Sequence, residues 1–256
     1  MRIVIPRYSV AGERRTSATP ETVKKMIRLG AEVAIESGAG AAVGFDDSIY
    51  AGLGAEIVAD RAALLGSADM VLRLRKPEPD EIGMMKSGCI HVSYLDPFNE
   101  RDLIKTLADK GITAISMEMI PRSTRSQKMD ALSSQANLAG YVAVMLAAAQ
   151  LPRIFPMLMT PAGTLKPAKV FIIGAGVAGL QAIATAKRLG ARVTAFDTRP
   201  VVAEQVQSLG GKFLEIDLGD TGQTSDGYAK ELTCLLYTSD AADEGLGVDL
   251  GGRRII

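Results

Sequence analysis

The sequence predicts an α/β protein of two domains, each built on a parallel sheet. Through the first half, short apolar runs alternate with helical patterns, the rhythm of strands connected by crossover helices. At Lys169 an apolar strand followed by a glycine-rich loop and a helix restarts that rhythm. A chain of 256 residues that is 47% hydrophobic supplies two modest cores rather than one.

The opening run RIVIP reads as a first strand, and its interruption by Pro6 without a small-residue cleavage site argues against a secretory signal. Thr19-Pro20-Glu21 starts a helix, with Thr19 as cap and Pro20 at the first helical position, and Gly30 ends it after Leu29. A strand follows at Glu32 to Glu36, then a turn at Gly38 and Gly40, then a helical segment beyond Phe45-Asp46-Asp47 that stops near Gly52 or Gly54. Further strands are expected at Met70 to Leu74, Cys89 to Tyr94 and Ile112 to Ser116, with a helix over Glu100 to Lys110. From Asp130 the apolar positions Leu132, Ala136, Ala139, Val142, Leu146 and Ala149 recur at helical spacing and predict a wide buried face. The apolar stretch from Leu138 to Leu151 reads as too short to cross a bilayer. Four prolines between Leu151 and Lys169 then call for a linker or a short hairpin. The expected organisation is a first domain over residues 1–135, a bridging helix and linker over 136–168, and a second domain from 169.

Composition excludes several classes of function. Lys plus Arg (29) balance Asp plus Glu (29), so no overall basic field exists for nucleic acid, and neither aromatic interleaving nor tryptophan supports such binding. Two cysteines cannot make a disulfide framework and point to a reducing compartment. With a single histidine, His91, no Cys/His zinc constellation can be assembled. His91 on its apolar strand reads as a satisfied core residue, the methionines as core filler, Arg2, Arg7 and Arg14 as solvated charges, and Arg73 to Lys76 as a strand-end basic patch.

The strongest motif is Gly174-Ala175-Gly176-Val177-Ala178-Gly179, placed after the strand Val170 to Ile173 and before a helical run. A second strand, Arg192 to Phe196, ends at Asp197, 23 residues beyond Gly174 and near the roughly twenty expected for an acid on a ribose. Gly174 permits a tight turn, Gly176 lets the backbone approach a pyrophosphate, and Gly179 lets helix and strand pack closely. A carboxylate at 197 accepts from a 2′-hydroxyl and repels a 2′-phosphate, which favours NAD(H), while Arg199 two residues on pulls the other way. The competing reading is a structural glycine turn.

These segments are similar to a known family. The glycine loop with DTRPVVAEQVQSLGGKFLEID, the loop PRSTRSQKMDALSSQANLAGY, and GERRTSATPETV with ESGAGAAVGFDDSIYAGLGAEI resemble the α subunits of the proton-translocating NAD(P) transhydrogenases over essentially residues 1 to 233. The resemblance implies two Rossmann-like domains with a cleft between them, forming a soluble NAD(H)-binding component that is usually dimeric. It implies hydride transfer from NADH to NADP(H) held on a partner domain III, coupled to proton passage through a membrane domain. The implied location is cytoplasmic, peripheral on the inner face of the cell membrane through those partners. By motif it assigns Arg122, Gln127, Asp130 and Ser133 to orienting the dihydronicotinamide, with Lys128 and Met129 beside the cofactor, and Thr198 and Arg199 beside Asp197. SDGYAK resembles the family's mobile loop, which gives Tyr228 a closing role over the nicotinamide and makes Gly227 its flexible neighbour. Without the resemblance, the 122–133 segment reads as a polar loop with Asp130 as a helix cap, and Tyr228 as a surface residue.

The lack of a general acid/base constellation agrees with that activity, because transfer between two nicotinamides needs ring positioning rather than a protein proton donor. An alanine dehydrogenase is the alternative. It would hold its substrate carboxylate at Arg15 and Arg75, but its catalytic histidine aligns with Asp96. A non-catalytic NAD-binding module is a third reading. Beyond Asp217 the polar stretch LGDTGQTSDGYAK and the residues after it sustain no periodicity, and a dinucleotide fold begun at Lys169 needs more strands than remain. The tail from about Cys234 resembles translated sequencing-adapter DNA, so the second domain is expected to be partial over 169–233, residues 234–256 non-native, and the chain alone inactive.

Overall fold

A computed structural model describes residues 1–8, 12–121 and 123–216. Two compact units are present, Met1–Ala131 and Leu132–Ile256.

The first unit is a parallel sheet of six strands: β1 (Arg2–Ile5), β2 (Glu32–Glu36), β3 (Glu56–Val58), β4 (Met70–Leu72), β5 (Ile90–Ser93) and β6 (Thr113–Ser116), in the spatial order β3-β2-β1-β4-β5-β6. Ile3 pairs with Val33 on one side and Met70 on the other. Helix α1 (Pro20–Arg28) begins as expected, with the Thr19 side chain accepting from the Thr22 N–H and Pro20 in the first turn. Helices α2 (Asp47–Gly52), α3 (Arg61–Ser67), α4 (Pro79–Met84) and α5 (Arg101–Asp109) make the remaining connections. Asp60 caps α3 by accepting from Ala62 and Ala63 N–H, and Glu78 with Glu81 forms a capping box on α4. Two clusters fill the faces of the sheet: Val4, Leu64, Leu65, Val71, Ile82 and Leu107 in one, Ile5, Val23, Ile35 and Tyr50 in the other.

The second unit opens with α6 (Ala131–Gln150, whose first residue closes the first unit), followed by an antiparallel hairpin, β7 (Leu158–Thr160) and β8 (Gly163–Leu165). Then come β9 (Lys169–Ile173), α7 (Val177–Arg188), β10 (Arg192–Phe196), α8 (Ala203–Ser208) and β11 (Lys212–Phe213). The three parallel strands lie in the order β11-β10-β9, with Ile183 and Ala186 of α7 packed against Val193 and Ala195.

Several expectations need correction. The apolar positions read as the buried face of α6 are largely exposed; Leu132, Val142 and Leu146 all face outward, while Gly140 and Val144 are buried. The reason is Gly140, where a Cβ would sit 2.1 Å from the Ala178 carbonyl oxygen, so α6 meets α7 there, and Val144 and Ala148 join the hydrophobic cluster to which α7 contributes. The helix has 20 residues and a mean hydropathy of 1.2, so by length and composition it could cross a membrane, a description that core helices also meet. Met85 is core filler, but Met119, Met129, Met157 and Met159 are exposed. Arg2 is anchored rather than solvated, donating to Ser67 and Glu56 and, through its backbone N–H, to Asp69.

Candidate functional site

The glycine turn and its acid form one connected structure in the second unit. Gly174 leaves β9 with φ +90°, a conformation that a side chain disfavours. At Gly179 a Cβ would lie 1.7 Å from the Gly174 carbonyl oxygen, so the start of α7 lies directly on the turn. A Cβ at Gly176 would meet nothing, which leaves the loop backbone open to an approaching group. Val177 and Ala178 open α7, whose first backbone N–H groups and positive dipole end favour an anion there.

Asp197, just past β10, joins this turn. Its Oδ2 accepts from the Ala175 N–H at 2.7 Å and from Arg199 Nη2 at 2.9 Å; its Oδ1 accepts from the Arg199 backbone N–H at 2.8 Å and from Nε at 2.9 Å. Burial raises the Asp197 pKa, but the hydrogen bonds from Arg199 and Ala175 outweigh it and hold the carboxyl below its ordinary value. The hydrogen bond to Asp197 in turn raises the Arg199 pKa. Thr198 links the two residues and is half-buried.

The polar-loop residues lie together elsewhere. Gln127, Lys128 and Met129 form a short 3-10 turn with exposed side chains, and Asp130 follows it directly before α6. Ser133 sits in the first turn of that helix and is half-buried. Arg122, Gly227 and Tyr228 lie outside the described residues.

A concavity belongs to the first unit. It has a volume of about 290 Å³ at the carboxyl ends of the strands, lined by Tyr8 beyond β1, Arg73 and Arg75 beyond β4, Tyr94 and Asp96 beyond β5, and Glu118 beyond β6. Arg15 and Arg75 are engaged by a neighbour that the sequence did not single out. Glu13 accepts from Arg15 Nε and Nη2, both at 2.8 Å, and from Arg75 Nε at 3.0 Å. The Arg15 hydrogen bond, seconded by Arg75, lowers the Glu13 pKa to about 2. Asp96 has φ +52°, its N–H held by Glu118 and its carboxylate by Asn99.

From Arg73 and Glu81 in the lining of this concavity extends a buried ion network, also missed in the sequence. Arg73 donates to Glu81 at 2.6 Å, Arg61 donates to both Glu81 and Glu36, and Arg61 also reaches the Arg7 carbonyl. Its only local signal was the Glu78-x-x-Glu81 capping pattern; the other partners come from different elements. His91 is fully buried, as expected, but not satisfied: its Nε2 has no hydrogen-bond partner among the described residues, and Ser93 Oγ stands 3.5 Å from Nδ1. It does not line the concavity.

Comparison with known families accounts for both units. A family model described as alanine dehydrogenase/PNT, N-terminal domain, matches residues 4–139. The chain belongs to the alanine dehydrogenase/PNT family. The C-terminal domain model of the same family matches residues 143–242. Over 231 residues this alanine dehydrogenase/PNT chain is 44% identical to the NAD(P) transhydrogenase subunit alpha of Cereibacter sphaeroides, covering 90% of this chain and 44% of that one. It is 30% identical over 233 residues to the alanine dehydrogenase of Bacillus subtilis (strain 168), covering 90% and 61%. The crystal structure of transhydrogenase from Sinorhizobium meliloti superposes with a TM-score of 0.81 at 46% identity, over 84% of this chain and 64% of that chain. The family member described here therefore spans less than two thirds of the length of each of these relatives, and it shares with the solved structure an α/β fold with parallel, Rossmann-like sheets.

Proposed function

We propose that this chain is the NAD(H)-binding component of a proton-translocating NAD(P) transhydrogenase, passing a hydride from NADH to NADP+ on a partner domain. The observation that carries this reading is the junction of the Gly174–Gly179 turn with Asp197 at the ends of β9 and β10. The residues fit a dinucleotide: a loop without Cβ atoms at the approach, a helix N-terminus for the pyrophosphate, and an ionised carboxylate for a ribose hydroxyl. The likeness to transhydrogenase α subunits, higher than that to alanine dehydrogenase, supports the choice within the family.

Bound NADH supplies the hydride. The chain's own residues bind and orient. Gly176, Val177, Ala178 and Gly179 receive the pyrophosphate, and Asp197 with Thr198 and Arg199 meets the adenosine ribose. Arg122, Gln127, Asp130 and Ser133 orient the ring, Lys128 and Met129 flank it, and Tyr228 with Gly227 closes over it. Gln127 can both donate to and accept from a carboxamide, and Ser133 can do the same through one hydroxyl. Proton movement across a membrane, NADP(H) binding and the membrane domain belong to partners, which place this chain on the cytoplasmic face. The outward Leu138, Val142 and Leu146 of α6 support a homodimer through that face.

An amino acid dehydrogenase is disfavoured, since Glu13 already engages Arg15 and Arg75 and no histidine lines the concavity among the described residues. The test is to titrate the chain with NADH by fluorescence, then assay transfer to an NADP analogue with a transhydrogenase domain III added. Saturable NADH binding, weakened roughly tenfold or more in Asp197→Ala with a narrower NADH-over-NADPH preference, is expected. Absence of NADH binding, or alanine-dependent reduction of NAD+, would overturn the proposal.

A further inference from the structure

The Asp197 carboxylate would meet a ribose with its oxygens already engaged by Ala175 and Arg199. A carboxylate offers about four lone-pair positions, and Ala175 and Arg199 together bring four donors to them. Three of those come from Arg199, whose guanidinium lies against the carboxylate with both side chains largely buried, 15% and 6% exposed. A ribose 2′-hydroxyl therefore has to compete with Arg199 for an oxygen. A 2′-phosphate meets an ion pair instead of an isolated negative charge, and a guanidinium fork suits phosphate oxygens.

We infer that Arg199 is a specificity-determining residue: by pairing with Asp197 it weakens both the acceptance of a 2′-hydroxyl and the rejection of a 2′-phosphate. The preference between NADH and NADPH thus belongs to the pair rather than to the acid alone. The inference rests on the reading of the second unit as an NAD(H) site.

The experiment is fluorescence titration of the full chain with NADH and with NADPH, for the wild type, Arg199→Ala and Arg199→Lys. In Arg199→Ala the Kd for NADH should stay within about threefold of wild type or fall, while the Kd for NADPH rises, so that the NADPH/NADH ratio of Kd values increases at least tenfold. Arg199→Lys keeps the charge but loses the fork, and should move the ratio in the same direction by less. Equal weakening of both cofactors would assign Arg199 to a part of the cofactor common to both and overturn the inference; so would an unchanged ratio, or a larger change in the lysine variant than in the alanine one. A wild-type chain that binds neither cofactor would overturn the underlying reading as well, whereas NADH binding with an unchanged ratio overturns the role of Arg199 alone.

Discussion

His91 lies on β5 with no exposed surface, and burial, reinforced by the Arg73 charge, lowers its pKa to about 4. The unfolded chain, with an ordinary pKa near 6.5, binds more protons than the folded one between those values. Stability tied to neutral His91 is therefore complete above about pH 6.5 and is lost as the pH falls toward 4, a loss on the order of 3 kcal/mol. Urea unfolding at pH 7 and pH 4.5 should show His91→Leu losing less stability than wild type; equal losses would mean that His91 does not titrate this way. Gly179 gives a second test at this scale. Since a Cβ there would overlap the Gly174 carbonyl, Gly179→Ala should cost about 3 kcal/mol or more and abolish NADH binding, read by thermal unfolding and titration. These glycines were legible in the sequence because the turn, the strand before it and the acid after it lie within one short segment. Glu13 was not, because its clamp depends on Arg75, 62 residues away.

Among elements, the sequence disclosed the longer helices and most strands of the first unit but not β3, α3 or α4, which have three, seven and six residues and are too short to show a period. Those short helices are joined to the sheet by charge. Glu81 of α4 and Arg61 of α3 meet Arg73 beyond β4 and Glu36 of β2, all of them except Arg61 buried. Burial raises the Glu81 pKa, but Arg73, a backbone hydrogen bond and Arg61 outweigh it and keep the carboxyl ionised. Glu81→Leu leaves the Arg73 guanidinium buried without its counter-charge and should cost about 3–5 kcal/mol. Adding Arg73→Met should restore at least half of that loss in denaturant unfolding, because an apolar pair replaces an orphaned charge. A double variant as unstable as the single one would show that packing, not charge, sets the cost. On α6 the sequence period was present but pointed to the wrong face, since a glycine that lets two helices touch carries no hydrophobic signal.

Among the described residues, each hydrophobic cluster stays within one unit: two lie between residues 4 and 112, and the third between 144 and 213. Residues 1–131 should therefore fold alone, giving a helical circular dichroism spectrum and a cooperative thermal transition; a fragment that melts without cooperativity would show that its core needs the rest of the chain. The order β3-β2-β1-β4-β5-β6 also has a consequence in time. β1 lies at the centre of the sheet, but its second neighbour is β4, with Ile3 facing Met70. At roughly 5–20 residues per second of synthesis, the first strand leaves the ribosome roughly 3–13 seconds before that partner exists. For that interval one edge of Ile3–Ile5 stands open to other nascent chains, so the crowding of ribosomes on one message, and not only the sequence, bears on how much of this protein folds correctly.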